Sequence, residues 1–248
     1  MLAVLESLLY GQPAELFLQA AKRQPESSWA HAANARGLKA SSDARLRSLR
    51  GVAARHALEA PDAHRLLPQD RAFAIVEAAL DLHRLGRPVE MLQLVDREAS
   101  RIGDPWLEAV TRAEVGLGAK TPGIAIEALR PRFDPLFGAI AARLREACRA
   151  GEALPDALPP ARVGTEIDDP FAGAAVREIL RKGLFLLARA QVQKEDHEAA
   201  FEVAATLVNL YPGYEPGRLL LAEIYRRLGQ PGAAERLDAP PAQRPAGV

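Results

Sequence analysis

The chain has 248 residues, 48% of them hydrophobic and 5% aromatic, enough to bury a sizeable core as one elongated domain or two smaller ones. Its 32 Lys and Arg balance its 32 Asp and Glu, so no net field draws it to nucleic acid or an anionic membrane; only a local patch could do so. One cysteine, Cys148, excludes an internal disulfide, and a composition led by Ala, Leu and Arg favours helix over sheet.

In chain order, the run Met1 to Gly11 is apolar, but no cation precedes its apolar part and Glu6 interrupts it, the first basic residues being Lys22 and Arg23. It does not read as a signal peptide and is too short to cross a bilayer. Arg or Glu breaks each later apolar run, so the expectation is a soluble, cytoplasmic protein. Leu2–Tyr10 and Ala14–Arg23 are predicted as a helix pair around Gly11-Gln12-Pro13, ended by Pro25. Ser27 and Ser28 are candidate caps for a helix over 29–40, and Ser41-Ser42-Asp43 for another reaching about Ala60. Pro61, Pro68 and Asp70 bracket a loop.

The stretch 36–55 gathers Arg36, Lys39, Arg45, Arg47, Arg50 and Arg55 against one acid, Asp43. In one continuous helix, Arg36, Lys39, Asp43, Arg47 and Arg50 share a side. That side is a candidate dock for an anionic partner, an acidic protein or a nucleic acid; the plainer alternative is a solvated helix face. Trp29 is the nearest aromatic that could stack on a base.

A 34-residue period then appears. From Ala72 the chain places Ala79 at position 8, Gly86 at 15 and Met91 at 20; from Trp106 it places Ala113 at 8 and Ala125 at 20. Gly103-Asp104-Pro105 and Phe133-Asp134-Pro135 end these units. Region 1–150 is therefore read as a helical-repeat region, and 151–170, rich in proline and acid, as a linker that cannot be helical. The pattern is clearest in 171–238. From Arg181, Leu184, Leu187, Ala188 and Val192 sit at helical spacing. Lys194-Glu195-Asp196 breaks the helix, and a second carries Ala200, Phe201, Ala204, Leu207 and Val208 up to Pro212-Gly213. From Glu215 the same positions return as Ala222, Tyr225, Gly229 and Ala234. Small residues suit the point where two antiparallel helices cross most closely. The tail 239–248 reads as disordered.

A 34-residue helix-turn-helix unit with small residues at positions 8 and 20, Gly at 15 and Pro near 32 resembles the tetratricopeptide repeat, with Gln191 standing where that family has Tyr. The resemblance implies an all-α fold of antiparallel helix pairs stacked as a right-handed α-solenoid, whose first helices line a concave groove for a peptide or helix of a partner. It places in that groove Lys182, Phe185, Arg189, Val192 and Gln193; Leu219, Glu223, Arg226 and Arg227; and Phe73, Val76, Leu80, His83 and Arg84. The mix of basic and apolar groups suits an acidic or amphipathic segment. The family's chaperone-tail clamp needs groove asparagines, and this chain has only Asn34 and Asn209, neither at a groove position.

The remaining chemistry-bearing residues point to no reaction. His31, His56, His64, His83 and His197 form no HExxH; His56, Asp62 and His64 are nearest, at a helix end. Glu195-Asp196-His197-Glu198 falls on an inter-helix turn, where acids suit the following helix's dipole. Cys148, between Arg145 and Arg149, has no CxxC partner, and its plainer reading is an inert thiol. Glu166, Asp168 and Asp169 lack calcium-loop spacing. Gly116-Leu117-Gly118-Ala119-Lys120-Thr121 lacks the first glycine and the strand of a phosphate loop. The sequence thus predicts no catalytic site, metal or cofactor, and a protein-binding adaptor or scaffold within a multiprotein assembly. A nucleic-acid-associated regulator, using the 36–55 cluster with the repeats as sensor or dimerisation module, is the alternative.

Overall fold

A computed structural model describes residues 19, 21–40, 48–134, 172–211 and 213–238. The expectations for Leu2–Tyr10, Arg45, Arg47, Cys148, the 151–170 linker and the 239–248 tail lie outside the described residues. Those described are helical with no strand among them, and none of their helices is long and apolar enough to cross a membrane. The chain divides into two compact units, the first ending at Ala119 and the second beginning at Lys120.

The first unit contains α1 (Ser28–Ala40), α2 (Arg50–Glu59), α3 (Pro68–Arg84), α4 (Pro88–Ala99) and α5 (Pro105–Gly118), with short 3-10 turns at Ala63–Arg65 and Ser100–Ile102. Proline opens α3, α4 and α5, where its missing N–H is no loss and its fixed φ suits the first turn. Asp104 caps α5, accepting from the Trp106 and Leu107 amides at 2.9 and 3.1 Å. The 103–105 tripeptide therefore closes one element and starts the next. At α1, the Ser27 hydroxyl takes the Ala30 amide, as a capping serine does. The helical apolar rows of α2, α3 and α4 meet in one core around Ala54, Ile75, Ala78, Leu82, Met91 and Val95. Beside it, Arg71 and Glu98 form a buried ion pair at 2.8 Å, and Arg71 also donates to the Ala63 carbonyl, tying α3 to α4 and to the 3-10 turn.

The second unit contains α6 (122–134), α7 (Ala172–Gln193), α8 (His197–Leu210), α9 (Glu215–Arg227) and α10 (Pro231–Asp238). Helix α6, which the sequence reading groups with region 1–150, belongs to this unit. The reason is Phe133: its ring is fully buried and lies on Gly183 of α7, where an added methyl would strike it. A bare glycine backbone lets the ring seat against the helix axis.

Turns of three residues fold α3 onto α4, α7 onto α8 and α9 onto α10. Each contains a left-handed residue: Gly86 (φ 71°), Glu195 (φ 64°) and Gly229 (φ 75°). In all three the next residue's amide reaches back five residues, Arg87 to Leu82, Asp196 to Gln191 and Gln230 to Tyr225, at 3.0, 3.0 and 2.8 Å. This double-bonded stop satisfies carbonyls that the helix end would leave open. Lys120 is left-handed too (φ 57°), so Gly86 and Lys120, like Glu195 and Gly229, stand 34 residues apart. The small residues at the predicted crossings, Ala79, Ala113, Ala188 and Ala222 and then Ala125, Ala200 and Ala234, are completely buried, and Met91 is buried among the core residues of its unit.

Phe133→Ala should therefore destabilise the second unit by about 4 kcal/mol, the cost of emptying a fully buried aromatic site, as read by chemical denaturation with a tryptophan-independent probe such as circular dichroism. A loss under about 1 kcal/mol would show that α6 does not rest on Gly183.

Candidate partner-binding surface

In the second unit, the predicted groove residues Arg189 and Gln193 of α7 and Glu223 and Arg227 of α9 line one open cleft of about 320 Å³. Val192 and Leu220, both buried, and Glu195 line it too. Helical spacing explains the α7 set, since positions 189, 192 and 193 lie on one face. Across the cleft, Arg227 and Glu223 neutralise each other at 2.7 Å, one turn apart on α9. Leu219 is 50% exposed on α9, and Arg226 is exposed at its end.

Arg189 is held by stacking. Its guanidinium carbon lies 5.6 Å from the centre of the Phe185 ring, within range for a cation–π contact. Phe185 meets Tyr214 edge to face at 5.7 Å, and the Tyr214 ring carries the Arg181 guanidinium at 4.8 Å. Burial raises the Tyr214 phenol above its ordinary value while Arg181 works the other way, so the ring is neutral at physiological pH. Arg181 is also paired with Glu178, and Lys182 is half-buried on the same helix.

In the first unit most of the groove positions are half-buried. Phe73 and Val76 are half-buried and pack onto the core, and Leu80 sits against Gly118 of α5. Arg36 and Lys39 of α1 each lie 5.2 Å from the Phe73 ring centre. His83 is half-buried, and Arg84 is exposed and bonded to Asp81 at 3.1 Å.

The 36–55 cations are not presented by one continuous helix. Arg36 and Lys39 belong to α1 and Arg50 and Arg55 to α2, and they converge on acids of α3. Arg36 pairs with Asp70; Lys39 and Arg50 hold the two oxygens of Glu77 at 3.0 and 2.6 Å; Arg55 meets Asp81 at 3.1 Å. Asp70, Glu77 and Asp81 share a face of α3 and are buried, Glu77 being 3% exposed. A buried carboxylate needs such partners, because desolvation penalises its charge. The described cations of the cluster, Arg36, Lys39, Arg50 and Arg55, are thus paired within their own unit.

The other groupings resolve locally. His56 lies against His31, with ring centres 5.4 Å apart, rather than joining His64. Among the described residues no three His, Cys, Asp or Glu side chains are placed to hold a metal ion. Asp196 caps α8 through the Ala199 amide at 3.2 Å. Asp62 accepts the Ser28 amide at 2.6 Å, tying the start of α1 to the segment before α3. Partial burial opposes the Asp62 charge, but the Ser28 hydrogen bonds outweigh it and hold the carboxyl below its ordinary value. Two cleft residues escaped the sequence reading. Leu220 falls at position 6 of its unit, outside the groove positions that the resemblance names, and Glu195 reads in the sequence as an acid on an inter-helix turn.

Glu77→Gln should cost about 2 kcal/mol, since it leaves Lys39 and Arg50 facing a neutral buried amide, whereas Lys39→Gln at the exposed end should cost under about 1 kcal/mol. Equal losses in urea unfolding would contradict the buried-stripe account. A lowered carboxyl value in the folded state means stability that is present above the unfolded value and lost as pH falls through the folded one. Asp62→Asn should therefore lower the Tm at neutral pH, and its deficit against wild type should shrink as pH falls below 3.8, the ordinary aspartate value. A deficit unchanged by pH would contradict the tie.

No family model, curated protein or solved structure matches the chain.

Proposed function

We propose that the chain is a non-catalytic adaptor or scaffold of the tetratricopeptide-like kind, soluble and cytoplasmic, that holds a segment of a partner protein in the cleft between α7 and α9. One observation carries this reading: Arg189, Gln193, Glu223 and Arg227, far apart in sequence, line the same open cleft. They sit at matching positions of the first helices of two 34-residue units, which is where a stacked helical repeat presents its binding face. The left-handed turns and buried alanines at the same period support the same reading. Arg189 is well suited to anchor a partner, because an arginine already stacked on an aromatic ring loses little freedom on binding. The occupant is an extended or helical segment with a carboxylate for Arg189 and apolar side chains for Val192, Leu220 and Leu219. Of the 36–55 cations behind the nucleic-acid alternative, the four described, Arg36, Lys39, Arg50 and Arg55, are each paired with Asp70, Glu77 or Asp81.

A pull-down from the native host with the full chain tests this. Arg189→Glu and Phe185→Ala should each reduce recovery of the partner by at least about tenfold, the scale of a buried arginine or aromatic anchor. Arg36→Gln in the first unit should leave recovery unchanged. Full recovery with both cleft variants would end the assignment.

A further inference from the structure

The four charged side chains of the cleft are not equivalent. Glu223 and Arg227 are bonded to each other, whereas Arg189 and Glu195 form no ion pair with the described residues. A partner therefore meets one available positive group and one available negative group. Building on the reading of this cleft as the partner site, we propose that its ligand is a mixed-charge peptide segment, an acidic side chain going to Arg189 and a basic one to Glu195, and not a uniformly acidic one.

Three features argue for this. A second acid lying over Glu195, which has no ion pair among the described residues, would meet a like charge in a partly desolvated cleft and be repelled. Glu195 is kept at a left-handed position, φ 64°, as Lys120 is at φ 57°, where the other two turns of the series use Gly86 and Gly229. A side chain with a Cβ is disfavoured there, and such residues gather where the side chain serves a purpose. Finally, Arg189 lies four residues before the end of α7 and Glu195 two residues beyond it, a separation along the axis of at most about 9 Å at 1.5 Å per residue. An extended segment rises about 3.3 Å per residue, so its acid and base should stand about three residues apart, with small or apolar residues over Val192 and Leu220.

The test is fluorescence anisotropy of labelled synthetic peptides on the full-length chain. The peptides carry one Glu and one Arg three residues apart among Ala, Thr and Leu, in both orders, alongside versions with two Glu, with two Arg, and with the Arg replaced by Ala. One mixed order should bind about fivefold more tightly than the two-Glu peptide, the upper range for a single exposed ion pair. Glu195→Gly should weaken that peptide to the level of its Arg-to-Ala version and leave the Ala version unaffected. The same substitution relieves the left-handed strain, so its Tm should not fall, and lost binding cannot be lost folding. Equal or tighter binding of the two-Glu peptide, or no effect of Glu195→Gly, overturns the mixed-charge assignment. The cleft reading survives that result if Arg189→Ala still weakens binding. Failure of every peptide to bind overturns both.

Discussion

A helix can double back on a neighbour only if its last turn closes its own carbonyls and redirects the chain within a few residues. Here that task falls to one left-handed residue per hairpin. Gly86, Glu195 and Gly229 each let the following amide return to a carbonyl five residues earlier. The stop sets where the second helix begins, and so sets which residues meet at the crossing. Ala79, Ala188 and Ala222 on the first helices, and Ala200 and Ala234 on the helices that follow the second and third turns, are all shielded from water. A bulkier side chain at any of them would separate the pair and open the core that the stop brings together.

The same kind of hairpin serves opposite ends in the two units. In the first, the faces of α3 are closed off: its acids Asp70, Glu77 and Asp81 take the cations of α1 and α2, and Phe73 is covered by Arg36 and Lys39. The acids are buried, while the Arg36 and Lys39 side chains that meet them stay about half exposed. In the second, the matching positions of α7 and α9 remain open, and the one stacked series of side chains, Arg181 on Tyr214 against Phe185 under Arg189, supports the rim of the cleft.

Much of the fold was legible because it rests on small residues at a fixed period, and alanine and glycine leave a clear trace. Ala188, Ala200, Ala222, Gly229 and Ala234 mark both hairpins of the second unit, and the helix edges at Lys194–Asp196 fell where polar residues interrupt the apolar rhythm. Three things were hidden. A left-handed glutamate at 195 looks in sequence like any turn acid, because backbone conformation is not written in a side chain that merely tolerates it. The pairing of the basic cluster depends on contact between helices, although Asp70, Glu77 and Asp81, seven and then four residues apart, do trace one face of α3. The seating of Phe133 on Gly183 joins residues 50 apart in the chain, and no local pattern announces a contact of that range.

The central claim is that a partner protein occupies the α7–α9 cleft. Site-specific photo-crosslinking in the native host tests it directly, with the reactive group at Gln193, which lines the cleft, or at Glu202, exposed on α8 and outside it. The account predicts that Gln193 captures one protein at one segment carrying both an acidic and a basic residue, and that Glu202 does not capture it. The same products from both positions, or products from Glu202 alone, would contradict it.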